Sequence, residues 1–241
     1  MTLASGGLRY SAKTHIGAVR KLNEDAIIAL PELGVWAVSD GMGGHAAGDF
    51  ASQAITGQIA TLIPGLSPAE LMHATREAIM DAHVEISTEA HRRGGVTIGA
   101  TVVALIVSGE HFVCLWVGDS RLYRLRDGEL EMLSHDHSLV AELVEAGQIT
   151  WAEAEKHPKA NAITRAVGVG HELEIDKRRG DALPDDRFLL CSDGLTRYAD
   201  EDMLRHVLMT TPVETVCDRL IRVALRGGGA DNISAIVIQI P

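Results

Sequence analysis

The sequence is poor in cysteine, in positive charge relative to negative, and in long apolar runs. Three cysteines, Cys114, Cys191 and Cys217, are widely spaced, odd in number and form no CxxC pair, so neither a disulfide framework nor a thiolate zinc site is available. They are expected to be reduced and buried. Lys and Arg total 22 against 33 Asp and Glu, a net charge of −11 that works against broad contact with nucleic acid or an anionic membrane surface. Any phosphate recognised here must be bound locally. No apolar stretch approaches the roughly 20 residues that span a bilayer. The N-terminal residues lack the charged-then-apolar order of a signal peptide, so a cytoplasmic protein is expected. There is no repeat of solenoid length and no low-complexity tail.

What is present is enough to build a core: 46% of the 241 residues are hydrophobic, which suits one domain spanning 1–241. Apolar or alternating runs predict strands over Asp25–Leu30, Gly34–Ser39, Thr101–Val107, His111–Val117, Arg121–Arg126, Glu129–Leu133, Arg187–Cys191 and Ile233–Ile240. Ser108-Gly109 and Asp127-Gly128 are turn dipeptides, so the middle of the chain reads as an antiparallel meander. Apolar residues recur at helical spacing over Ala47–Leu62 and Pro68–His91, and a further helix is expected from Pro212 to Arg226, ending at Gly227-Gly228-Gly229. Capping-box patterns open helices at Ser67–Glu70, Thr150–Glu153 and Thr211–Glu214. Antiparallel strands with amphipathic helices predict an α+β layered domain.

The informative feature is where the aspartates fall. Val35–Ser39 runs into Asp40-Gly41, and Phe188–Ser192 runs into Asp193-Gly194, so one apolar-Ser-Asp-Gly phrase occurs twice. Phe112–Val117 delivers Gly118-Asp119-Ser120, and Asp231-Asn232 precedes the last apolar run. A lone Asp-Gly is usually a turn, as Asp127-Gly128 is read here. If the other strand ends share one rim, however, four carboxylates converge, and their repulsion and desolvation call for a cation. Carboxylates and backbone carbonyls are hard oxygen donors suited to Mg²⁺ or Mn²⁺. Gly41, without a side chain, leaves its carbonyl free to turn toward an ion.

With Asn23-Glu24-Asp25 and the glycine-rich stretch DGMGGHAAGD at 40–49, GDSRLYRLRDG at 118–128, CSDGLT at 191–196 and GGADNIS at 228–234, the sequence resembles the magnesium- or manganese-dependent type-2C protein phosphatases in their bacterial form. The resemblance spans nearly the whole chain. It implies a four-layer α-β-β-α sandwich, two central antiparallel sheets flanked by helices, with metals at one end. It implies hydrolysis of phosphoserine and phosphothreonine esters on proteins by water activated between two Mg²⁺ or Mn²⁺ ions, with a third metal position beside them. Carried over by residue, Asp40 bridges two ions, the Gly41 carbonyl binds one, and Asp193 and Asp231 complete the other. Glu24 acts through water, and Asp119 with Asp193 matches the third metal. Asn232 is expected to orient Asp231.

Arg20 matches the phosphate clamp, its guanidinium offering paired donors to two phosphate oxygens. Eukaryotic relatives place a histidine directly after the first Asp-Gly, where this chain has Met42, so the leaving-group acid is unassigned; His45 is a candidate, and a metal-bound water is another. Residues 147–170 correspond to the flap beside the site, against the plainer reading of a surface loop. Lys177-Arg178-Arg179 is read as a solvated face. Phosphorylated targets of a serine/threonine kinase are the expected partners, and a monomer is the expected state. A catalytically silent phosphoprotein-binding module would call for an incomplete metal set. P-loop, aspartyl-phosphate and EF-hand patterns are absent.

Overall fold

The computed structural model describes residues 7–43, 47–154 and 157–241. Its strands are β1 (Arg9–His15), β2 (Asp25–Leu30), β3 (Val35–Met42), β4 (Gly99–Ala100), β5 (Val102–Ser108), β6 (His111–Val117), β7 (Arg121–Arg126), β8 (Glu129–Met132), β9 (Asp176–Asp181), β10 (Arg187–Cys191) and β11 (Ile233–Gln239). The helices are α1 (Ala47–Ile59), α2 (Pro68–Arg92), α3 (Leu139–Glu145), α4 (Trp151–Ala154), α5 (Asp193–Thr196), α6 (Glu201–Thr210) and α7 (Val213–Gly227). One antiparallel sheet has the order β1-β11-β10-β7-β8, and the other the order β2-β3-β5-β6-β9 with β4 beside β3.

Strand alternation sorts the side chains into three apolar layers. Trp36, Val38, Leu105, Phe112, Leu122, Phe188 and Ile236 fill the space between the two sheets. Val35, Ala37 and Ala104, on the opposite face of the same strands, pack against Ile55, Ile59 and Ile79 of α1 and α2. On the other side Leu189, Cys191, Ala235 and Val237 pack against Leu204 and Val207 of α6 and Val216 and Leu220 of α7. The result is the α-β-β-α sandwich. Central strands covered on both faces must be apolar at nearly every position, which is why they read as continuous runs.

Two expectations about connections change. The middle of the chain is not one meander: β5–β6 and β7–β8 are separate hairpins in different sheets, and β6 pairs with β9. The turn at Asp127-Gly128 has positive φ at both residues, 51° and 82°, as a two-residue hairpin requires. At Thr211–Glu214 there is no capping box; Pro212 is the N-cap without a side-chain bond. The Thr211 hydroxyl instead accepts from Arg219, and Glu214 pairs with Arg9 of β1. The boxes at Ser67 and Thr150 are formed.

Candidate active site

The aspartates at the strand ends meet at one end of the sandwich, where the two sheets face each other. Asp25 opens β2 and lies directly opposite Asp40 of β3 in the ladder. Asp40 is in turn close enough to feel the charges of Asp25, Asp193, Asp119 and Asp231. The first sheet supplies Asp193 after β10 and Asp231 before β11; the second supplies Asp25, Asp40 and, after β6, Asp119.

Local hydrogen bonds fix each carrier. The Asp40 N–H donates to Thr101 Oγ1 at 3.1 Å, and the Thr101 N–H donates back to the Asp40 carbonyl at 2.8 Å. Thr101 Oγ1 also bonds Ser120 Oγ at 2.7 Å, tying the Asp40 strand end to the Asp119 loop. Gly41 has a steric reason to be glycine as well as the freedom of its carbonyl: a Cβ there would lie 2.0 Å from the Gly48 carbonyl oxygen. A Cβ on Gly48 would lie 2.5 Å from Glu24 Oε1, so this glycine contact seats the Glu24 carboxylate.

The segment before β2 carries the basic group. Arg20 is half-exposed and its Nη2 donates to Asp231 Oδ2 at 2.9 Å. The Asn232 N–H donates to Asp231 Oδ1 at 2.9 Å and so orients it as expected, while the Asn232 side chain has a second task. Its Oδ1 accepts from the Glu24 N–H at 2.8 Å, while its Nδ2 donates to the carbonyls of Ile16 and Leu22 at 2.9 and 3.0 Å. It therefore clasps the loop that presents Arg20 and Glu24. His45 lies outside the described residues.

Burial comes first among the causes that raise these carboxyls. It pushes Asp25 and Asp119 up to about 7, with neighbouring aspartates adding repulsion, and holds Asp40 well above the usual carboxylate range. Asp193 is raised by burial and by Asp231, against the pull of Arg197, whose Nη2 lies 3.1 Å from it. Glu24 is raised for the same first reason. A set of carboxyls too crowded to ionise freely is the electrostatic signature of a cation site. The donors fit Mg²⁺ or Mn²⁺, since every candidate is an oxygen. Asp25 adds an orphan: its Oδ2 accepts from Ser192 and Ser234 hydroxyls at 2.8 and 2.6 Å, while its buried Oδ1 has no partner among the described residues. No three His, Cys, Asp or Glu side chains among the described residues close on one point. Ions here would need backbone carbonyl and water oxygens too, as Mg²⁺ commonly does.

Asp25 and Thr101 were not singled out by sequence reasoning. The available signal for Asp25 was its place: like Asp231, it stands immediately before an apolar run. The described parts of 147–170 are only partly loop-like. The Thr164 N–H donates to the His137 carbonyl at 2.8 Å, and Val167 and Ala100 exchange bonds of 3.0 and 2.9 Å. From Asp119 and Asp193 a cleft of about 870 Å³ opens between this segment and the chain joining α5 to α6.

At one end of this four-layer frame stands a cross-sheet carboxylate cluster with a guanidinium at its rim, an all-oxygen donor set suited to divalent cations. Comparison with known proteins agrees. The model of the protein phosphatase 2C family matches residues 15–226, and the chain belongs to that family. It is 37% identical over 234 residues to the serine/threonine protein phosphatase PstP of Mycobacterium tuberculosis, covering 97% of this chain and 45% of that one. The chain thus spans about half the length of that curated relative. Among solved structures it is similar to PppA of Pseudomonas aeruginosa, with TM-score 0.90, 43% identity and coverage of 96% of this chain and 97% of that one. It is also similar to the catalytic domain of a PstP in complex with two manganese ions, with TM-score 0.88, 36% identity and coverage of 96% and 97%.

Proposed function

We propose that the carboxylate cluster holds two Mg²⁺ or Mn²⁺ ions and that the protein hydrolyses phosphoserine and phosphothreonine esters on proteins, reversing a serine/threonine kinase. The observation that carries this reading is the convergence of Asp40, Asp193 and Asp231 from two sheets with Arg20 at their edge. In this reading Asp40, the Gly41 carbonyl, Asp193 and Asp231 would hold the two ions, with Glu24 acting through water. Asp119 with Asp193 would hold a third. The 241 residues act as one catalytic domain. Membership of the family and the manganese bound by the PstP structure support the assignment.

Bound divalent ions would supply the Lewis acidity that makes water a nucleophile at neutral pH and would offset charge on the phosphoryl group. The chain's own groups do the rest. Ser192 and Ser234 orient the Asp25 carboxyl by donating to its Oδ2, which leaves the buried Oδ1 without a partner among the described residues. Arg20, held in place by Asp231, offers its remaining N–H donors to the phosphate oxygens. Asn232 keeps the Arg20–Glu24 loop at the distance this requires. No side chain among the described residues is assigned as the leaving-group acid.

The test is phosphate release from phosphothreonine and phosphoserine peptides and from a chromogenic phosphomonoester, with added manganese and with excess chelator. Turnover in manganese that stops in chelator is expected. Full activity in chelator, or none in manganese, overturns the assignment.

A further inference from the structure

The cleft beside the carboxylate cluster is walled by α3 and α4 on one side and by the chain from α5 into α6 on the other, with β7 and β8 contributing the remainder. Asp119 and Asp193 are among its lining residues, so it adjoins the carboxylate cluster, although Arg20, Asp40 and Asp231 do not line it. Both guanidinium groups that line it are committed to carboxylates of the protein. Arg121 donates to Asp136 through Nε and Nη2 at 2.9 and 2.6 Å, and Arg197 donates to Asp193 at 3.1 Å. The acids are less occupied. Among the described residues the Asp200 side chain accepts only the Met203 N–H at the start of α6, and Glu201 has no ion-pair partner. Trp151 presents an indole that is 53% exposed, against 0% for Trp36 and 4% for Trp116.

We infer that this cleft receives the substrate segment adjoining the phosphorylated residue and favours a lysine or arginine side chain there. The inference rests on the phosphatase reading above, because the phosphate held at the carboxylate end is what places the segment. An incoming cation finds the uncompensated Glu201 carboxylate and the face of an uncovered indole, which attracts ammonium and guanidinium groups. An incoming anion finds no free guanidinium and the carboxylates Asp200 and Glu201. The aliphatic stem of lysine or arginine would lie along the apolar lining supplied by Met132, Val140 and Ala199.

The experiment uses the full chain in manganese and a set of phosphothreonine peptides identical except at one position within four residues of the phosphothreonine. That position carries arginine, alanine or glutamate. At the favoured position kcat/KM is expected to be about tenfold higher for arginine than for glutamate, equivalent to about 1.4 kcal/mol. The ratio is internal to each protein, so a general loss of activity does not affect it. It should fall to threefold or less in Glu201→Gln, invert in Glu201→Lys, and be kept better by Trp151→Phe than by Trp151→Ala. Binding of the same peptides is followed through indole emission, to which Trp151 contributes the one strongly exposed ring among the three tryptophans. If no ester or peptide is hydrolysed in manganese, the phosphatase reading fails, and the arginine-to-glutamate ratio in binding still decides on the cleft. Equal ratios at every position, a preference for glutamate, or an arginine preference that survives both Glu201→Lys and Trp151→Ala overturns it.

Discussion

Asn232→Ala isolates the clasp that holds the Arg20 loop. The side chain is 4% exposed and makes three hydrogen bonds, to the Glu24 N–H and the carbonyls of Ile16 and Leu22. At roughly 0.5–1.5 kcal/mol net for each, their loss costs between about 1.5 and 4.5 kcal/mol. Water can reach part of the damage, since Leu22 is 43% exposed, so the lower half of that range, about 1.5–3 kcal/mol, is expected. For a chain of this size that lowers Tm by about 3–12 °C. The same loop carries Arg20 and Glu24, so KM for phosphopeptides should rise and manganese affinity should fall. Asn232→Asp keeps the acceptor for Glu24 but sets an anion against two carbonyls; it should be the less stable variant in chelator and recover more on adding manganese. The measurements are thermal unfolding in chelator and in manganese, calorimetric metal titration and peptide kinetics. An Asn232→Ala protein with unchanged Tm and unchanged KM would refute the clasp.

Three further outcomes are expected. In excess chelator Asp25 and Asp119, raised to about 7, keep protons that the unfolded chain releases near pH 4, so their stabilisation is complete below about pH 4 and lost as pH rises toward 7. Tm in chelator should therefore fall from pH 5 to pH 8 and manganese should reverse the fall; a rise in chelator over that interval would contradict the crowding of these carboxyls. Asp40→Asn, Asp193→Asn and Asp231→Asn should each cut turnover by orders of magnitude, whereas Asp127→Asn, at a hairpin turn whose φ of 51° asparagine tolerates, should leave it near the starting value. Arg20→Ala should raise KM more than it lowers kcat, because a half-exposed clamp holds bound substrate and transition state alike; equal losses of kcat and kcat/KM would assign it to the transition state instead.

The layers were legible because central strands are buried on both faces. β2, β6, β7 and β10 have the bounds their apolar or alternating runs predict, and β3 and β5 differ by a few residues at their ends. Of the strands that escaped notice, two are at sheet edges and the third, β4, is two residues long. β1 and β9 are the outermost members of their sheets, and β9 reads Asp-Lys-Arg-Arg-Gly-Asp, charge that discourages pairing with another chain. Lys177-Arg178-Arg179 is thus an edge strand, with Arg178 reaching back to pair with Glu131 on β8 at 2.5 Å. Helix α6 went unnamed although Asp200 caps it, because its buried face is short: Leu204, Val207 and Leu208. In the site, the aspartates following apolar runs were visible in one dimension. The partners of Asp25 and Asn232 were not, because these contacts cross more than 160 residues, to Ser192 for one and to the loop before β2 for the other.

The cysteines bear on how such a protein meets oxidative stress. Cys191 is two positions before Asp193, and strand alternation turns its sulfur into the apolar layer shared with α7. Burial pushes the Cys191 and Cys217 thiols up to about 12 and raises Cys114 as well. Peroxides and alkylating agents attack thiolates, which these groups do not form at cellular pH. The proposed chemistry uses oxygen ligands throughout, so a peroxide pulse that silences enzymes with a cysteine nucleophile finds no thiolate here to oxidise.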